Sequence, residues 1–135
     1  MRLKSWAVAL YVLIGAGSGV NGIWMLVAPE RWFARVPGVT DTGPLNPHLV
    51  RDFGACYLLV GAIVVVGLAR GRLTREVHVW ITLFFALHAG IHTGEILAGH
   101  ASNDHWVIDF PGVFLPLLLL FVLSLPFACH RRAPG

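Results

Sequence analysis

Long apolar runs alternate with short polar breaks along the chain. Four runs stand out: 6–28, 48–69, 77–98 and 105–128. None follows the two-residue alternation of a half-buried strand. Each is about 20 residues long, and at about 1.5 Å per residue such a helix crosses the roughly 30 Å hydrocarbon layer of a bilayer. Open sheet edges are excluded there, because lipid offers no partner to unpaired backbone groups. The pattern predicts an all-α protein, a four-helix transmembrane up-down bundle forming one domain over residues 1–135.

The breaks refine this picture. Pro29-Glu30-Arg31-Trp32-Phe33-Ala34-Arg35 predicts a short interfacial helix, with proline in its first turn, aromatic residues at headgroup level and Pro37-Gly38 as its stop. Gly43-Pro44 and Asn46-Pro47 mark turns before the second run. The connections 70–76 and 99–104 are tight, which makes neighbouring runs antiparallel. Pro111, Pro116 and Pro126 are expected to bend the fourth run, with Pro111-Gly112 loosening it just after Asp109.

Composition supports the membrane reading. Of 135 residues, 56% are hydrophobic and only 13% are charged, against about 25% charged in soluble domains. This excludes disorder, a coiled coil and a disulfide-built module, and argues against an ordinary cytosolic enzyme. The net charge of +3 comes with no basic stretch interleaved with aromatics, so no nucleic acid is expected as a partner. Distribution matters more than sum. Arg2, Lys4, Arg70, Arg72, Arg75, Arg131 and Arg132 fall on one side of a four-span layout, and Arg31, Arg35 and Arg51 on the other. The basic side is expected to face the cytoplasm, with both termini on it. The uncharged stretch from Trp6 to Ala28 exceeds the roughly 7–15 residues of a signal-peptide core, so a retained span is expected. Cys56 and Cys129 form no C-x-x-C pair, and Cys56 reads as a small buried hydrophobe. Trp6, Trp24, Trp32, Trp80 and Trp106 read as an interfacial belt, and His78 and His130 as solvated.

Gly17-Ser18-Gly19-Val20-Asn21-Gly22 matches the dinucleotide fingerprint G-x-G-x-x-G, and Asp41 follows where a ribose-binding acid would stand. The context refuses it, since the motif lies inside an uncharged apolar run and not at a strand-to-helix turn. Gly15 with Gly19, and Ser18 with Gly22, instead show the small-x-x-x-small spacing that lets helices approach closely in lipid. That face is expected either to pack a neighbouring helix or to meet a second copy of the chain.

The polar residues of the last three runs carry the candidate chemistry. His48, Asp52 and Cys56 are four apart; His88, His92 and Glu95 are four and three apart; His105 and Asp109 are four apart. Such spacings share a helix face. Counting down each helix brings these faces to one depth in the outer half of the bundle. Ionisable groups inside a membrane mark a functional site. His88, His92, Glu95, Asp52, Asp109 and His48 make a nitrogen and oxygen ligand set suited to zinc, iron, manganese or copper(II). A haem held by histidine is a second option, with Gly90 and Gly94 leaving room. Arg51, Tyr57 and His105 are placed around this set as ion-pair lock and hydrogen-bond partners. Three functions follow: a metal or haem protein for redox work, an accessory subunit whose polar cluster only fastens the helices through pairs such as Arg51 with Asp109 and His92 with Asp52, or a small proton-coupled carrier.

Asn46-Pro47-His48-x-x-Arg51-Asp52-x-Gly54-x-x-Tyr57, then His88-x-x-x-His92-x-x-Glu95, then Asp109-x-Pro111-Gly112 resembles small bacterial membrane proteins of the DoxX-like group. The resemblance covers the second to fourth runs and is weaker in the first. It implies a four-span fold in the bacterial inner (cytoplasmic) membrane and an association with quinone-linked redox complexes. The expected partners are the lipid bilayer, a second copy or other membrane subunits.

Overall fold

The computed structural model describes residues 4–71 and 73–129, with side chains given as far as Leu125. Arg2, Arg72, His130, Arg131 and Arg132, which enter the charge and solvation arguments above, lie outside the described residues. The regular structure among the described residues is all helical, with no strand among them. Helix α1 is Ser5–Val27, α2 is Pro29–Arg35, α3 is Pro47–Ala69, α4 is Arg75–Leu97, α5 is His105–Ile108 and α6 is Leu115–Cys129. A 3₁₀ turn, Val39–Thr42, lies between α2 and α3, and a π-helical turn, Phe110–Phe114, joins α5 to α6.

Local chemistry explains the boundaries. The Asn46 side chain accepts hydrogen bonds from the His48 and Leu49 N–H groups, and Pro47 opens α3 where a missing N–H costs nothing. Thr74 caps α4 by accepting from Val77 N–H. The short helix expected at 29–35 forms, with Pro29 in its first turn. The fourth run does not form one helix. Pro111 withholds the N–H that an α-helix would offer the Val107 carbonyl, and Pro116 withholds the one for Gly112. The backbone answers with the wider π turn, a form often found at functional sites.

Helices α1 and α3 form the tightest pair. A methyl group on Gly61 would lie 2.7 Å from Gly19 N and 2.8 Å from Gly15 O, and one on Gly22 would lie 2.5 Å from Leu58 N. The small-residue stripe of α1 is thus spent on α3, and is covered within the chain instead of being open to a second copy. Helix α4 packs on α6, and α6 returns to α1. Helices α3 and α4 meet through large rings: Tyr57 stands edge-on to Phe84 at 5.4 Å and to His88 at 5.9 Å between centroids. Tyr11, Val64, Phe85, Leu120 and Leu123 are fully buried among these helices.

Away from this core the surface is apolar. Leu59, Val65, Leu87, Ile91 and Leu125 are all largely exposed. Two helices, Ser5–Val27 and Pro47–Ala69, are long and apolar enough to cross a membrane, with mean hydropathies of 1.6 and 2.1.

His78 departs from expectation. It is buried, with Tyr11 Oη 2.7 Å from its Nδ1 and Ser124 Oγ 2.9 Å from its Nε2, so it ties α1, α4 and α6 together. A histidine needs both ring nitrogens satisfied when it leaves water, and this site supplies both partners. Cys56 is exposed on the outer side of α3, not buried. Trp32 is half-buried and donates to Asn21 Oδ1 at 2.8 Å, while Trp6, Trp80 and Trp106 lie on the surface.

Candidate functional site

One chain of polar side chains runs inward from the surface. Asp41 sits on the 3₁₀ turn, 62% exposed, with Oδ2 3.3 Å from His105 Nε2. The other nitrogen of His105, Nδ1, lies 3.1 Å from Asp109 Oδ2. The same oxygen meets His92 Nδ1 at 2.8 Å. The His92 ring then stands 4.8 Å, centroid to centroid, from His88. His105 and Asp109 are only 4% and 8% exposed. Burial in so few contacts is tolerable because every polar atom has a partner; among the described residues no buried side-chain nitrogen or oxygen lacks one.

The fold builds this chain from three places. His105 and Asp109 are one helical turn apart on α5 and its end, and His92 faces them from α4. The turn carrying Asp41 can reach His105 because Gly38, at φ +79°, has no side chain. A methyl group there would stand 2.9 Å from both His105 Cε1 and Ile108 Cγ2. That φ lies in the left-handed region that glycine alone enters freely.

The inner end of the chain opens on a cavity of about 750 Å³. Leu13 and Gly17 of α1, Leu49 and Phe53 of α3, and Leu115 and Leu119 of α6 are among its walls. His88, His92 and Asp109 form its polar end, with Tyr57 and Trp32 also on its surface. Apolar walls with a few convergent polar groups are the usual composition of a small-molecule site. The space arises because ring contacts hold α3 and α4 apart while glycines bring α1 and α3 together. Gly90 and Gly94, expected to leave room, instead face outward, away from this cavity.

The predicted site residues divide. His88, His92, Asp109, His105 and Tyr57 come together. His48 and Asp52 pair with each other at 3.5 Å, 87% and 61% exposed, and do not join them. Buried residues of α3 are Val50, Gly54, Tyr57, Val60, Gly61, Val64 and Gly67. Asp52 is two residues from both Val50 and Gly54, a rotation of about 200° at 3.6 residues per turn, so it points away from the interior. Glu95 lies near the end of α4 and turns to His100 in the following loop, at 3.3 Å. Arg51 reaches the Leu26 carbonyl at 3.4 Å and none of the acids. His92 takes Asp109 as partner where Asp52 was expected. Among the described residues, no three His, Cys, Asp or Glu side chains converge as ligands for one ion. Asp41 is the member that the sequence did not reveal; its only signal was Gly38 before it, which marks a tight approach to something unnamed.

Comparison with protein-family models, with curated proteins and with solved structures finds no match. The functional reading therefore rests on this geometry.

Proposed function

We propose that the protein is a four-span, multi-pass protein of the cytoplasmic membrane, both termini inside, that binds a lipid-soluble molecule with a polar, carbonyl-bearing head. Quinones are the class that fits. The cavity with apolar walls and the His92–Asp109 pair at its end carries this reading. The apolar walls accept a hydrophobic tail as readily as lipid does, and an imidazole held in place by a carboxylate is a partner for a carbonyl oxygen that lipid cannot offer. The apolar outer surface of all four long helices and the length of α1 and α3 support the membrane placement. The excess of Lys and Arg on the side of the termini and the 70–76 turn supports the orientation.

Trp32 on the cavity wall supplies the test. Protein in lipid nanodiscs is titrated with decylubiquinone while tryptophan fluorescence is read. Saturable quenching is expected, mostly lost in Trp32→Phe. Binding weakens about tenfold or more in His92→Ala, the effect of one hydrogen bond to a charged pair. Gly17→Phe, which narrows the cavity without adding a tryptophan, weakens saturable quenching. Quenching that never saturates, or that Gly17→Phe and His92→Ala both leave intact, reflects partition into lipid and overturns the reading. A stoichiometric transition metal or a Soret band in the purified protein would replace it with a metal or haem centre for redox chemistry.

A further inference from the structure

We propose that Asp41, His105, Asp109 and His92 form a proton path from the aqueous surface to the cavity. The inference builds on the cavity reading above by giving its occupant a proton source. Four titratable groups follow one another at 3.3, 3.1 and 2.8 Å. The first is 62% exposed and the last lines the cavity. The two middle groups are almost wholly enclosed, His105 between two carboxylates and Asp109 between His105 and the cavity that it lines together with His92.

Imidazole suits the task because it takes a proton on one ring nitrogen and releases one from the other. A proton from the Asp41 carboxyl passes to His105 Nε2. The proton on His105 Nδ1 passes to Asp109 Oδ2, and from there to His92 Nδ1. The proton on His92 Nε2 is then available to a molecule in the cavity, or to His88 beside it. Each group releases a proton as it accepts one, and the net change is one proton moved from the surface to the cavity. Both nitrogens of His105 face a carboxylate, which gives the ring one acid to take a proton from and another to pass it to. The two other His–carboxylate pairs, His48–Asp52 and His100–Glu95, are exposed and take no part.

The test reads the path without any ligand. Histidine is labelled with ¹⁵N in protein held in lipid nanodiscs, and exchange of the His92 ring N–H with solvent is followed by NMR. Asp41→Asn keeps the shape and the hydrogen-bonding ability but cannot pass a proton. It is expected to slow His92 exchange at least about tenfold, a modest share of what a positioned acid or base contributes. Asp41→Glu restores the rate, and Asp52→Asn leaves it unchanged. His105→Gln gives the same loss as Asp41→Asn; if that buried variant fails to fold, the exposed Asp41 series alone decides. An unchanged His92 rate in Asp41→Asn overturns the path. Failure of decylubiquinone to bind, with the exchange effects present, would overturn the cavity reading and leave the path standing.

Discussion

A single oxygen carries much of this site. Asp109 Oδ2 meets both His92 and His105, in a place that is 8% exposed. Removing it takes the partner from two imidazole nitrogens, that of His105 enclosed away from water and that of His92 partly buried. Hydrogen bonds to charged groups are worth about 1.5–3 kcal/mol, and exposed ion pairs about 1 kcal/mol or less. Asp109→Ala is therefore expected to lower stability by about 2–3 kcal/mol, and Asp52→Ala or His48→Ala by less than about 1 kcal/mol. Thermal unfolding in detergent checks the contrast; equal losses for Asp109 and Asp52 would refute it. The i, i+4 spacing of His105 and Asp109 was readable from the sequence because both atoms of that contact sit on one helix. The spacing of His48 and Asp52 was just as readable, and their pairing is real. Spacing fixes which residues share a face, but not which way that face turns.

At the scale of the element, glycine decides how helices pair. The backbones of α1 and α3 touch at Gly15, Gly19 and Gly61, and at Gly22 and Gly54. Overfilling a packed contact costs about 1–3 kcal/mol, and more where backbone is the obstacle. Gly61→Leu is expected to separate the pair and to lower the melting temperature sharply. Gly17→Ala, whose added methyl group meets nothing within 4 Å, is expected to be neutral or slightly stabilising. Circular dichroism melts of the two variants check this. The small-residue period announced a close helix contact, and the structure bears that out. The partner was not legible, because a helix inside the chain and a helix of a second copy demand the same stripe. The break in the fourth run was legible for a plainer reason: Pro111 and Pro116 each remove a donor, whatever surrounds them. The burial of His78 was not, since its partners Tyr11 and Ser124 lie 67 and 46 residues away in sequence.

At the scale of the whole molecule, the order and length of the helices follow directly from the hydrophobic pattern, with bounds within two residues for the first three runs. Which polar groups converge does not, because Asp41 belongs to a connection between helices, and helix periodicity says nothing about connections. The proposed orientation predicts a labelling pattern. A membrane-impermeant maleimide applied to intact cells should modify Thr40→Cys, on the turn beside Asp41, and should reach Arg75→Cys only after the membrane is opened. The reverse pattern would invert the topology, and labelling of both in intact cells would deny it.

The unequal packing has a bearing on traffic. With α1 and α3 in backbone contact at their glycines, the cavity beside them is bounded by side chains alone, and Leu13 and Leu49 on its rim are themselves largely exposed. On the membrane placement proposed above, a greasy visitor would enter sideways past those side chains from the lipid, without crossing an aqueous doorway.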